Sequence, residues 1–217
     1  MMRKRFTVVL TLCLVLIFGL CFFSYLSADT ESHLDARKTV CLKEYPTDPS
    51  LFKEVVQPYV TKIIDRHGLE EWKAVLLTNE LHRHLGMWSI VGAKMGVRAR
   101  EVLEAPFDML DVVSFSGFKP PFSCLNDGIQ VSTGASLGRG TITNTHLGRP
   151  VAIFFYKDKK VTMRVKPEIM KTIRGVIKEY SKKYVFQSPR YFQELDKISL
   201  EYWLKWDRKK MFEEIRN

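Results

Sequence analysis

Apolar residues recur at helical spacing in the first half of the chain, and this pattern predicts three helices. The first is expected over about residues 50–66, with a kink at Pro58. The second is expected over about residues 69–80 and the third over about residues 88–101. The loop between the second and third helices is therefore predicted to hold residues 82–84.

The third predicted helix contains two glycines that lie four residues apart, Gly92 and Gly96. An interior glycine costs a helix about 1 kcal/mol relative to alanine. Two of them at helical spacing therefore predict that another backbone or a ligand approaches this helix closely.

The second half of the chain predicts strands followed by helices. The strands are expected at residues 109–116, 141–143, 150–156 and 160–165. The last two should form a hairpin, and residues 167–183 and 188–215 should supply two or three further helices.

The N-terminus has the pattern of an export signal. Residues 1–5 are basic and residues 6–26 carry no charge, which is long enough to cross about 30 Å of hydrocarbon as a helix. Residues 1–28 are thus interpreted as a cleaved signal peptide or an uncleaved membrane anchor, residues 29–47 as a linker and residues 48–217 as the domain. Because the basic end stays in the cytoplasm, the domain is expected on the non-cytoplasmic side.

The overall charge favours anionic partners without naming one. The chain has 34 lysines and arginines against 24 acidic residues, for a net charge of +10. These charges are scattered among acids, so nucleic-acid binding is not expected. The expected partners are the membrane, through residues 6–26, and an unidentified small ligand or protein.

Two histidines and one cysteine are the candidate chemistry. Side chains two residues apart on a helix point about 200° apart, so His82 and His84 can share a ligand only from a loop. Two imidazoles and a thiolate from Cys124 would suit zinc and leave a fourth position for water or substrate. In an oxidising compartment Cys124 could instead form a disulfide with Cys41.

A glycine-rich segment follows Cys124 and contains Gly134, Gly138, Arg139 and Gly140. Its backbone N–H groups and its arginine could hold an anion, but the spacing is not that of a P-loop or a dinucleotide fingerprint. The simpler interpretation is a tight turn.

These separated pieces together resemble FmdE, a domain family of formylmethanofuran dehydrogenase. The resemblance is carried by the His82-x-His84 pair before Gly86, by Gly92 and Gly96, and by residues 124–130, 134–140 and 148–156. It covers roughly residues 50–216. It implies an α+β fold in which helices pack on a mixed sheet, and a zinc ion held by the His-x-His loop and nearby cysteines.

The chain also departs from the family pattern His-Gly-His-x-Cys-Pro-Gly. Gly86 stands where the first cysteine is expected, and Ala135 replaces a second. The resemblance therefore carries over His82, His84 and Cys124 as zinc ligands. Asp127 and His146 are added as candidate ligands or as groups that orient a ligand.

Three hypotheses follow from these residues. The first is an exported, membrane-associated zinc-binding domain that binds a ligand or assists a partner without redox chemistry of its own. The second is a hydrolase or transferase in which Cys124 is a nucleophile activated by His82 or His84 and oriented by Asp127. The third is a structural or interaction module with a Cys41–Cys124 disulfide.

Overall fold

The computed structural model describes residues 41–216, of which those from Pro46 onward belong to one compact unit. The predicted membrane helix at residues 6–26 and most of the predicted linker lie outside the described residues. Within residues 41–216, no helix is both long and apolar enough to span a membrane.

Six α-helices are described, and most of the predicted helices are confirmed. Their bounds are α1 Val60–His67, α2 Leu69–His82, α3 Met87–Leu103, α4 Leu125–Thr133, α5 Pro167–Lys183 and α6 Pro189–Lys205. The prediction of one kinked helix over residues 50–66 is wrong. Short 3-10 turns occupy Pro49–Leu51 and Gln57–Tyr59 instead, and the regular helix begins only at Val60, two residues after Pro58, which has no N–H to donate.

Five strands form one mixed sheet, which confirms the predicted α+β class. They are β1 Asp111–Ser114, β2 Ile142–Asn144, β3 Val151–Tyr156, β4 Lys159–Val165 and β5 Phe212–Arg216, in the order β2-β1-β3-β4-β5. The β1 and β2 strands are parallel, and the other neighbours are antiparallel. The β5 strand corrects the prediction that helix continues to residue 215, because residues 212–216 pair with β4 along its edge.

Helix α3 lies at the centre of the fold and is buried on both faces. Met87, Val91 and Met95 belong to an apolar cluster shared with the sheet and with α4, α5 and α6. Ile90 and Val97, on the other face, join a second cluster with α1, α2 and α6. The end of α2 and the start of α4, which carry the candidate residues, are thereby fixed to one scaffold.

The contact between α3 and α4 confirms the close approach that the glycines predict. A β-carbon added at Gly92 would lie 2.2 Å from the carbonyl oxygen of Leu125, and one at Gly96 would overlap the Ser132 hydroxyl. Gly128 of α4 meets α3 in return, 2.2 Å from the carbonyl oxygen of Ser89. The two helix backbones touch, and this contact sets the position of the first turn of α4.

This contact gives a stability prediction. Gly128→Ala should lower the free energy of unfolding by at least about 1–3 kcal/mol, because its β-carbon meets backbone atoms that cannot move alone. Gly175→Ala is the matched control. Gly175 is also helical but has no atom near its added β-carbon, so alanine there should stabilise by up to about 1 kcal/mol. Urea unfolding of both variants tests the difference, and equal effects would contradict it.

Candidate active site

His82 is the last residue of α2, which corrects the prediction that both histidines lie in a loop. Arg83 ends the helix in a left-handed conformation with φ 69°, and its N–H donates to the carbonyl of Asn79. Because the chain reverses direction at Arg83, the 200° separation of a regular helix does not apply. The rings of His82 and His84 lie with their centroids 4.4 Å apart.

Helix α4 brings two further predicted residues to His82. Cys124 is the N-cap residue of α4, and Asp127 lies in its first turn. The His82 Nδ1 atom lies 2.7 Å from Oδ2 of Asp127, which is a hydrogen bond between residues 45 positions apart. Nδ1 is therefore engaged with the carboxylate, and Nε2 is the ring nitrogen that remains.

The second ring nitrogen of His82 is buried and lacks a hydrogen-bond partner among the described residues. The Cys124 thiol is nevertheless close to the ring. The Asp127 carboxylate first, and the Cys124 thiol second, raise the pKa of His82 to about 9. Metal-free His82 therefore carries a positive charge at neutral pH, beside a thiol and a carboxylate.

The Gly86 position explains how the His82 ring fits. A β-carbon added at Gly86 would lie 2.9 Å from Cδ2 and 3.0 Å from Nε2 of His82. Gly86 stands where the resembled family has a cysteine. In this chain the glycine leaves the space that the His82 ring edge occupies.

His84 is adjacent to this group but faces away from it. Its ring also packs on Phe192, with centroids 4.8 Å apart, and it lines a second cavity of about 360 Å³. Burial, with a smaller contribution from the charge of His82, lowers the pKa of His84 to about 4. His84 is therefore neutral at physiological pH, although its ring lies outside the Cys124 pocket.

A pocket of about 410 Å³ opens beside His82, Cys124 and Asp127. Its wall includes Gly117, Phe118, Pro120, Ser123, Asn126, Gln130, Leu137, Ile142 and Asn144. It combines an apolar rim with amide and hydroxyl groups, which suits a small organic ligand with a few polar atoms.

Two asparagines in this pocket had no signal in the sequence. The Nδ2 groups of Asn126 and Asn144 donate to the Gly117 carbonyl at 3.1 and 2.6 Å, and Asn144 also accepts from the Gly117 N–H at 3.2 Å. They hold the Gly117 loop against the pocket. Only the fold brings these positions together, since they lie on α4 and β2.

The remaining predicted residues lie at the margin. His146 stacks on Phe118, with centroids 4.7 Å apart, and does not line the Cys124 pocket. In the glycine-rich turn, the N–H groups of Gly134 and Gly140 donate to backbone carbonyls, and Arg139 pairs with Asp108. The anion-binding prediction for Gly134, Gly138, Arg139 and Gly140 stays untested, with several of its donors already engaged.

The residues fit a metal ion in part. Nε2 of His82 and the Cys124 thiol are two donors in place, and Asp127 orients the histidine as a carboxylate does for a metal-bound imidazole. Across residues 41–216, however, no three histidine, cysteine or acidic side chains are arranged to hold a metal together. A third protein ligand requires the His84 ring to turn away from Phe192. The Cys41 and Cys124 thiols are both free.

The charge on His82 predicts a pH dependence for the metal-free protein. Its pKa rises from 6.5 to about 9 on folding, so the stabilisation is complete below pH 6.5 and is lost as the pH rises through 9. We expect a loss of about 1–3 kcal/mol in the free energy of unfolding over that interval. His82→Gln should lack this loss in chelator-treated protein, and identical pH profiles for the two proteins would contradict the assignment.

Comparison with known proteins agrees with the resemblance of the motifs. The family described as "FmdE, Molybdenum formylmethanofuran dehydrogenase operon" matches residues 81–213. A solved structure of an FmdE-like protein of tungsten formylmethanofuran dehydrogenase from Syntrophus aciditrophicus is similar with a TM-score of 0.44 and 17% identity, and covers 68% of this chain and 71% of its own. No curated protein matches the sequence.

Proposed function

Because this chain belongs to the FmdE family, we propose that its domain is a zinc-binding module that binds a ligand or assists a partner without redox chemistry of its own. The observation that carries the proposal is the His82–Asp127 hydrogen bond of 2.7 Å with a buried, unpartnered Nε2 beside Cys124. A carboxylate on one imidazole nitrogen fixes the tautomer that offers the other nitrogen to a metal.

Zinc would be held by Nε2 of His82 and by the Cys124 thiolate. His84 would supply the third protein ligand once its ring leaves Phe192, a change that needs side-chain rotation only. When bound, zinc would act as a Lewis acid toward an oxygen or nitrogen atom of the ligand. Asp127 holds the proton on Nδ1 of His82, and the Gly117 loop shapes the pocket.

Elemental analysis tests this proposal. Protein purified from membranes or supernatant without chelators or added metal should contain close to one zinc per chain. A content well below one tenth, unchanged after incubation with zinc and gel filtration, would overturn it.

A second candidate function is favoured by the same three residues. His82 is positively charged at neutral pH because its pKa is about 9, and it lies beside Cys124, so it can stabilise a thiolate nucleophile. In that case Cys124 attacks an acyl group in the 410 Å³ pocket, and His82 donates a proton to the leaving group. This is the chemistry of a hydrolase or transferase.

Alkylation of Cys124 separates the two functions. A thiolate nucleophile should react rapidly with iodoacetamide in protein shown to be zinc-free as purified, and the rate should fall in His82→Gln. A zinc ligand should instead be protected in protein as purified and should become reactive only after chelation.

We also propose that residues 6–26 hold the domain at a membrane, on its non-cytoplasmic side. Support comes from the basic residues 1–5 followed by an uncharged segment. Alkaline phosphatase fused to the C-terminus of the chain should be active, since that enzyme needs export to form its disulfides. Activity of a cytoplasm-dependent reporter alone would contradict this topology.

A further inference from the structure

Helix α5 (Pro167–Lys183) presents an unpaired basic stripe to solvent. Lys171, Arg174, Lys178 and Lys182 are all exposed, and their spacing of three and four residues places them on one side of the helix. None of the four forms an ion pair within residues 41–216. Two exposed acids, Glu168 and Glu179, lie on the flank of this stripe, so the charge of the side remains positive.

The stripe ends at an exposed apolar tip. Val185 is 80% exposed and Phe186 is 58% exposed, directly after the helix. The tip is structured, because the Ser188 N–H donates to the Val185 carbonyl at 3.0 Å and Phe186 packs edge-on against Tyr191. The fold therefore holds two apolar side chains out into solvent beside four cations.

We propose that this surface, the basic face of Lys171, Arg174, Lys178, Lys182, Val185 and Phe186, docks on the headgroups of an anionic lipid bilayer. A row of lysines and arginines is attracted to the negative potential of such a surface. Val185 and Phe186 would enter the boundary between headgroups and acyl chains, where apolar side chains leave water. The phosphate backbone of a nucleic acid would match the cations but would offer no apolar region to this tip.

The length of the chain before the domain permits this docking. Residues 27–45, between the uncharged segment and the compact unit, can span at most roughly 60 Å. A domain of this size has a radius of gyration of about 15 Å, so any of its faces can reach a bilayer that holds residues 6–26. The proposed anchor raises the local concentration of lipid at the basic face, and the docking proposal rests on it in that respect.

Lysine labelling in vesicles tests the proposal. The full chain would be reconstituted into vesicles of phosphatidylcholine alone, or with three parts in ten of phosphatidylglycerol, and treated with a membrane-impermeant acylating reagent. Peptide mass spectrometry should show labelling of Lys171, Lys178 and Lys182 reduced at least threefold in the anionic vesicles. Lys62, Lys157 and Lys209 are exposed elsewhere and should label equally in both. Equal labelling of the α5 lysines in the two vesicle types would overturn the proposal.

Variants assign the protection to the basic face. Lys178→Glu with Lys182→Glu should abolish the protection of Lys171, whereas Lys157→Glu with Lys209→Glu changes the net charge equally and should preserve it. Val185→Ser with Phe186→Ser should weaken the protection and make it more sensitive to salt. Protection by duplex DNA added to neutral vesicles, without protection by anionic lipid, would assign the face to another polyanion and overturn the proposal. Alkaline carbonate extraction reports separately whether residues 6–26 anchor the chain.

Discussion

Replacing His82 or Cys124 by alanine should remove most of the bound zinc. These residues supply the two donor atoms that the fold already places together, and loss of either leaves an incomplete set of ligands. His84→Ala should have the same effect if its ring turns from Phe192 to complete the set. The zinc content of each purified variant, measured against wild type, is the test.

The controls for this prediction come from the same chain. Cys41→Ala and His146→Ala should keep the metal, because Cys41 is a free exposed thiol and His146 lies outside the Cys124 pocket. Asp127→Asn should fall between, with about 10–100-fold weaker zinc affinity, since the group that orients His82 is altered while both donor atoms remain. Full zinc retention in both His82→Ala and Cys124→Ala would end the zinc proposal.

Melting temperature offers a second readout of the same variants. Because a metal that binds only the folded state adds to its stability, added zinc should raise the melting temperature of wild type more than that of His82→Ala or Cys124→Ala. A Cys124 nucleophile predicts no such difference. In that case iodoacetamide reactivity, and not zinc content, should respond to His82→Gln.

Local features of the sequence predicted the elements that depend on local features. Helices α2 and α3 and strands β3 and β4 are recognisable because their apolar residues follow a regular period over many positions. The close contact at Gly92 and Gly96 could also be anticipated, since interior glycines are unfavourable without such a reason. Helix α4 escaped prediction because it is short and contains Gly128, whose role depends on a partner helix.

The candidate site was predicted as a set of residues but not as an arrangement. His82 and Asp127 are 45 positions apart, so their hydrogen bond follows from the crossing of α3 and α4 and not from any motif. The His-x-His spacing suggested two equivalent ligands. A single left-handed residue, Arg83, instead directs His84 toward Phe192, and no pattern in the sequence indicates that turn.

Buried charges escaped prediction for the same reason. Glu71 and Lys94 have side chains with no exposed surface, and Arg208 lies beside them. Lys94 donates to the carboxylate of Glu71 and, at 2.8 Å, to the Trp206 carbonyl, while Arg208 donates to Glu71 at 3.0 Å. In the sequence these residues look like ordinary solvent-facing positions of helices. In the fold they tie the segment before β5 to α2 and α3.

Glu71→Leu should therefore destabilise the domain by about 3–5 kcal/mol, because it leaves the Lys94 ammonium buried without its carboxylate. Burial already lowers the pKa of Lys94 to about 8 with Glu71 in place. Lys94→Met should cost less, since Glu71 keeps its pairing with Arg208 and the methionine fills most of the lysine's space. Glu70→Leu is the matched control: its side chain is 61% exposed, its pairs with Lys73 and Arg100 are both 3.4 Å long, and its loss should cost about 0–1 kcal/mol. Urea unfolding should rank the losses Glu71→Leu, Lys94→Met, Glu70→Leu, and a larger loss for Lys94→Met than for Glu71→Leu would show that the carboxylate is not the group on which this cluster depends.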